Sequence, residues 1–385
     1  MDLRGKRILI VGNADSIHIY NYIMNLLLDT GIDITIYDRV GPKEHIRAEY
    51  VSFFEENNVK IVSGPSPVQI NRVSYPFFLL KTYKIIKSLG HFDYLQFHFV
   101  QETIAPVFYL LRKRFEKIIL TYWGSDLFRL NDVRRSLTAG LIGSADHIVM
   151  LTSDMVDYFK NLPSKYSKNA HKCTVIDFGN MFYPGIDELK QSYKDISIIK
   201  SQIGLDPNKY TITIGYVWRK PMRQYETVLA LLEGKKNYLN KIQIVLPVWG
   251  IPDDEYEKLD NLLNQSGVSY KMFRDFMGPD MVVKFRVSTD IFIHTQTTDA
   301  LSSAMMEHLY AGTVVINGKW LNYGMLDEKG VYYLKVDSIE DVDPLLETVI
   351  ASLDEYKEKT LINHDILRDF SSWEAYREKW LSLYK

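Results

Sequence analysis

Cysteine is nearly missing from this chain: Cys173 is the only one in 385 residues, which excludes an intrachain disulfide and a cysteine-clustered zinc site. Such usage suits a reducing compartment, so a cytoplasmic location is expected. Positive charge is not in surplus either. The 46 Lys and Arg against 48 Asp and Glu leave a formal net charge of -2, too little to balance a phosphate backbone, and no nucleic-acid partner is expected. No apolar run reaches the roughly 18 residues that a membrane span needs. The opening "MDLRGKRILIVG" mixes charges with a strand-length apolar run and lacks a small-residue cleavage site, so export is not expected. Sequence repeats and low-complexity tracts are absent too, which sets solenoids and disordered tails aside.

What is there is a rhythm. "RILIVG", "IYNYIMNLLLDTG", "DITIYD", "YLQFHF", "KIILTYWG" and "HIVMLT" alternate β-branched runs with helical patterns, the signature of right-handed βαβ units in a parallel sheet. The rhythm stops after "CTVIDFGNMFYPGIDELKQS" and restarts with "YTITIGYV", "KIQIVLPVWG", "VSYKMF", "DIFIHTQ" and "TVVING". The predicted fold class is α/β with two doubly wound Rossmann-like domains, over 1–180 and 206–369, joined by a linker at 181–205. The closing "FSSWEAYREKWLSLYK", about 370–385, is predicted as a helix whose Trp373, Tyr376, Trp380 and Tyr384 form a core-facing stripe. Open α/β sheets bind ligands beyond the carboxyl ends of their strands, so chemistry is expected in a cleft lined by "GNADSIH", "TYWGSD", "GYVWRKPMRQ" and "TQTTDALSS".

In "TTDALSSAMMEHLYAG" Asp299 precedes a helix predicted from about Leu301 to Ala311, closed by Gly312, and Glu307 lies two turns in. The two carboxylates are placed to flank one molecule while helix amides near Leu301 and Ser302 point at an anion. Taken alone, the spacing reads first as a capping Asp and an exposed Glu. It gains meaning from "GYVWRKPMRQY", whose Arg219, Lys220 and Arg223 are cations in a strand-to-helix loop of the same domain. In "TYWGSD", Asp126 is either a turn-and-cap residue or a polar group aimed at the cleft. His18 sits at the first helix N-terminus and His98 ends a strand; each is either a structural hydrogen-bonder or a ligand contact. "SYPFFLLKTYKIIKSLGHF" sets Lys81, Lys84 and Lys87 beside Phe77, Phe78 and Leu80, the pattern of a crossover helix or of a basic amphipathic helix over 76–90 on an anionic membrane.

Four stretches, "GNADSIHIYNYI", "TYWGSDLFR", "GYVWRKPMRQ" and "TTDALSSAMMEHLYAGTVVI", together with the last helix, resemble the GT-B glycosyltransferases of the retaining family 4 type over nearly the whole chain. The resemblance implies that the last helix returns to the first domain and that Glu307 accepts hydrogen bonds from a nucleotide ribose. It implies that Asp299 meets donor-sugar hydroxyls, and that Arg219 and Arg223 hold a diphosphate together with Lys220, Leu301, Ser302 and Gly12. Asp299, Asp126 and His18 are then the catalytic candidates. The chain departs from the family pattern in having Asp at position 299 for Glu, "ALSS" for a glycine-containing turn, a longer basic loop, and Trp123 where many members have histidine.

The implied activity is retaining, metal-independent transfer from a UDP- or GDP-linked sugar to a glycan or lipid-linked acceptor in cell-surface polysaccharide or glycoconjugate synthesis. No further cofactor is implied, since cations and helix N-termini suffice to stabilise a departing diphosphate. Three alternatives stand beside it: a nucleotide-sugar epimerase or hydrolase, a catalytically silent GT-B partner, and a two-domain solute-binding protein, which the missing export signal disfavours.

Overall fold

The computed structural model describes residues 1–66, 73–233, 237–299, 301–321 and 323–385. They form two units, Met1–Gly179 with Trp373–Lys385, and Asn180–Ser372.

In the first unit, strands β1 (Arg7–Gly12), β2 (Asp33–Asp38), β3 (Lys60–Ser63), β4 (Phe92–His98), β5 (Phe115–Thr121), β6 (His147–Met150) and β7 (Cys173–Val175) build a seven-stranded sheet. Its order is β3-β2-β1-β4-β5-β6-β7, with neighbouring strands parallel. The apolar run Ile8 to Val11 is fully buried because helices cover both faces of the sheet. Alternate residues serve opposite layers: Leu9 and Val11 join one apolar cluster, Ile8 and Ile10 the other.

That second cluster is completed from far along the chain. The helix Trp373–Ser382 inserts Trp380, fully buried, among Ile8, Ile10 and Tyr22. Its indole Nε1 donates to the Asp177 carbonyl at 2.9 Å, and the Trp373 indole donates to Asn21 at 2.7 Å. The aromatic stripe is core, as its spacing predicts.

The second unit repeats the plan with β8 (Tyr210–Ile214), β9 (Ile242–Pro247), β10 (Ser269–Phe273), β11 (Ile291–His294), β12 (Val314–Gly318) and β13 (Leu334–Val336), in the parallel order β10-β9-β8-β11-β12-β13. Residues 181–205, expected to be a linker, are instead two helices, Tyr183–Ser192 and Ile196–Gln202, belonging to this unit. Tyr183, Ile186 and Ile199 are buried against Leu309 and Tyr310, and the Tyr183 and Tyr310 rings stack at 3.7 Å. The loss of strand rhythm marked a change of element, not a gap between domains. Asp290 braces this unit from below, accepting from Lys200 at 2.6 Å, Lys357 at 2.5 Å and the Thr211 amide at 2.8 Å.

The basic helix spans Ser74–Ser88. Phe78, Thr82 and Ile86 face inward at four-residue spacing, whereas Phe77 and Leu80 are 67% and 50% exposed beside the exposed Lys81, Lys84 and Lys87. Among the described residues no helix is long and apolar enough to cross a membrane.

Because Trp380 fills the centre of the first unit's second layer, Trp380→Ala is expected to lower stability by about 3–5 kcal/mol. Urea unfolding followed by far-UV circular dichroism measures this, and a loss below about 1 kcal/mol would show that the helix is dispensable to that core.

Candidate functional site

Each sheet reverses its winding once, between β1 and β4 in the first unit and between β8 and β11 in the second. At such a point the loops leaving adjacent strands diverge to opposite faces and open a crevice beyond the carboxyl ends. In the second unit the crevice is framed by the loops following His294 and Ile214, which carry the carboxylate and the cations singled out by their sequence. The two loops touch: the Thr297 amide donates to the Pro221 carbonyl at 2.8 Å.

Asp299 sits at the head of this crevice. Its Oδ2 accepts from Gln296 Nε2 at 2.5 Å and from the Tyr323 hydroxyl at 2.8 Å. Burial and the adjacent carboxylate push the Tyr323 hydroxyl far above its ordinary pKa, so it stays a proton donor to Asp299. Tyr216 adds its hydroxyl to Gln296 Oε1 at 3.4 Å, and Trp320 Nε1 donates to the Gln296 carbonyl at 2.7 Å. The helix that follows runs Ser303–Tyr310, starting two residues later than expected. Ser302 is its N-cap, accepting from the Met305 amide, and the first-turn amides without intrahelical acceptors are those of Ser303 and Ala304. Ser302 therefore acts through its capping oxygen, and Leu301 packs against the apolar layer below. Ala300, in the "ALSS" turn, lies outside the described residues.

The cations are not equivalent. Arg223 has a left-handed backbone, φ 54°, and its guanidinium lies 5.7 Å from the Trp320 ring. Arg219 is exposed at the start of the same short turn. Lys220, expected beside them, instead pairs with Glu255 at 3.0 Å, because the helix Asp254–Ser266 opens with acidic residues at its positive end. Burial fixes Glu307: the residue is 4% exposed, so the exposed-acid alternative fails. Its Oε2 pairs with Arg286 Nε at 2.9 Å, while Oε1 accepts from Asn180 at 3.3 Å. Arg286 also reaches His308 at 3.2 Å.

A residue not foreseen completes this crevice. His294 ends β11, 1% exposed, with Nδ1 bonded to Asn317 Oδ1 at 2.8 Å. The Asn317 amide is oriented by its own bond to the Gly318 carbonyl, so His294 Nδ1 donates and Nε2 keeps its lone pair. Burial lowers the ring's pKa, and Nε2 lies 3.9 Å from Asp299 without a hydrogen-bond partner. The only sequence signal is a polar residue at the carboxyl end of "DIFIH".

At the first unit's switch point a pocket of about 250 Å³ is lined by His18, Arg39, His98, Phe99 and Trp123, among others. The His18 ring lies 4.2 Å from Trp123, which stacks on Phe178 at 4.5 Å. Two expectations are corrected here. Asp126 does not point into the pocket: it is 2% exposed, and its oxygens accept from the Val100 and Trp123 amides, both at 2.8 Å. It braces two loops, and burial raises its pKa to about 6. Gly12, expected to contact the ligand, has a packing role. Ile19 packs so closely that an added Cβ would stand 2.3 Å from it, so the glycine serves helix-on-strand packing.

Removing the Glu307 carboxylate strands a buried guanidinium, so Glu307→Ala is expected to cost about 3–5 kcal/mol of stability. Asp299→Asn, which keeps a carbonyl acceptor for Tyr323, is expected to cost about 1 kcal/mol. Chemical denaturation of both variants tests the ranking, and equal losses would refute it.

Residues 7–153 match the family described as glycosyl transferase 4-like. No curated protein matches the sequence. Among solved structures, a glycosyltransferase from Rickettsia africae superposes with a TM-score of 0.74 at 14% identity, covering 99% of this chain and 98% of that one. HepE of Anabaena in complex with UDP and glucose gives 0.68 at 11% identity, and sucrose-phosphate synthase of Thermosynechococcus elongatus 0.67 at 13%, each covering 98% of both chains. At such identities these likenesses speak for the fold. Residues 7–153 carry glycosyl transferase 4-like sequence, and the chain as a whole has the GT-B fold.

Proposed function

We propose that the chain is a retaining, metal-independent glycosyltransferase that takes a sugar from a nucleoside diphosphate, UDP foremost, and passes it to a saccharide or lipid-linked acceptor in glycoconjugate synthesis. One observation carries this reading: the loop bearing Arg219 and Arg223 is hydrogen-bonded to the loop bearing Asp299, beside a capped helix N-terminus, at the switch point of one sheet. Guanidinium groups and helix amides stabilise a departing diphosphate without a metal. The complexes of HepE with UDP, UDP-glucose, and UDP and glucose favour UDP as the nucleotide.

In this reading Asp299 and His294 Nε2 accept from donor-sugar hydroxyls, and Glu307 Oε1 holds the ribose. His18 and Trp123 receive the acceptor. The bond from the anomeric carbon to the β-phosphate oxygen breaks, the acceptor hydroxyl oxygen bonds that carbon on the same face, and its proton passes to the released phosphate. Asp126 takes no part in that transfer, since both its oxygens hold backbone amides.

Calorimetric titration with UDP, GDP and dTDP tests the reading. One of them, with UDP expected, should bind, and Arg219→Ala combined with Arg223→Asn should weaken it at least tenfold, roughly 1.4 kcal/mol. Asn is chosen because it tolerates the left-handed backbone at position 223. Absence of binding by all three, or undiminished binding by the double variant, would refute it.

The outward face of Ser74–Ser88, with Phe77 and Leu80 among three lysines, supports attachment to an anionic bilayer. Sedimentation with phosphatidylglycerol vesicles should capture the protein, and Lys81→Glu with Lys84→Glu should release it. Capture that persists in the double variant would exclude this face.

A further inference from the structure

The pocket at the first unit's switch point contains two polar groups that the fold leaves unsatisfied. His98, 3% exposed at the end of β4, has no hydrogen-bond partner on either ring nitrogen among the described residues. Its surroundings are Tyr22 at 4.5 Å, Phe178 at 5.7 Å and Trp123 at 6.4 Å, so burial lowers its pKa to about 3 and the ring is neutral. A neutral imidazole offers one donor and one acceptor, and a buried pair of that kind is normally matched.

Arg39, following β2, is the second group. Its guanidinium lies 4.8 Å from the Phe99 ring and has no ion pair among the described residues, and its buried Nε has no hydrogen-bond partner. Asp38, Asp126 and Glu102, whose charge reaches it, make no ion pair with it among the described residues, and Asp38 Oδ2 itself has no hydrogen-bond partner there. Asp38 accepts from the Ala14 amide at 3.0 Å and faces His45 at 3.2 Å, Asp126 holds the Val100 and Trp123 amides, and Glu102 pairs with Arg134. Phe99, which supports the guanidinium, has φ 72°, a left-handed conformation that an aromatic residue adopts only when its surroundings impose it. Cation, unpaired imidazole and the Trp123 ring thus line one pocket of about 250 Å³, room for a single sugar ring.

We infer that this pocket selects a saccharide bearing an oxyanion, its carboxylate or phosphate held by Arg39, a hydroxyl by His98, and its apolar face by Trp123. The inference deepens the reading of the first unit as the acceptor side and rests on it. A planar guanidinium already oriented over an aromatic ring matches two oxygens of one anionic group, which an uncharged hexose cannot supply.

The test is calorimetric titration of the full chain with D-glucuronate, D-glucose 6-phosphate and D-glucose. The charged sugars should bind at least tenfold more tightly than glucose, and Arg39→Gln should reduce that preference below twofold. His98→Phe should weaken all three sugars while keeping the preference. Glucuronate ahead of the phosphate ester identifies a carboxylate-bearing acceptor; the reverse order identifies a phosphate-bearing one. Should Arg39→Gln fail to fold, Arg39→Lys replaces it and should keep only part of the preference, because an ammonium lacks the two-pronged geometry. Equal binding of charged and uncharged sugars, no binding by any, or a preference indifferent to position 39 would overturn the inference. UDP titrated separately keeps the two readings apart, since failure of UDP to bind overturns the transferase while leaving an Arg39-dependent preference standing.

Discussion

A parallel sheet wound in both directions from a central strand has one place where neighbouring connections part, and both candidate crevices of this chain exist because of that single constraint. Right-handed crossovers put the first connections on one face and the later ones on the other. The loops after β1 and β4, and after β8 and β11, are consequently left with no helix between them. His98 and His294 end two of those strands and Arg219, Arg223 and Asp299 sit on two of those loops, while Arg39 enters from the loop after β2.

The buried polar groups sort themselves by whether the fold satisfies them. Glu307, Asp126 and Asp290 are surrounded by donors: a guanidinium, backbone amides, two ammonium groups. Their loss would leave uncompensated charge or unpaired amides, so they hold the loops and helices in position. His98 and Arg39 Nε, which line the first unit's pocket, and His294 Nε2 have no hydrogen-bond partner among the described residues. Leaving a buried donor or acceptor unmatched costs free energy that a ligand can recover.

Much of this was legible in the residues. Strands with strong β-branched patterning, such as "RILIVG" and "DIFIH", stand where their composition places them, as does the aromatic stripe of the last helix. The short strands at Lys60–Ser63 and Leu334–Val336 were not legible, since three or four residues at a sheet edge carry too little pattern. Asp299 and the basic loop were singled out because acid and cations fall just past recognisable strands. The same reasoning did not show that Lys220 pairs with Glu255, that Ile19 packs on Gly12 or that Asp126 holds two backbone amides: position after a strand says nothing about which way a side chain turns or what already occupies it.

Local sequence thus determined the alternation of elements, the α/β class and the loops on which chemistry could sit, because hydrophobic period and turn residues act over a few positions. The tertiary structure decided the rest. That Lys220 answers to Glu255, that Glu307 is locked to Arg286, and that Arg39 and His98 meet unsatisfied in one pocket depend on residues about twenty to sixty positions apart in sequence. Such pairings follow from strand order and packing, through which electrostatic and hydrogen-bond partners are chosen by distance in space alone.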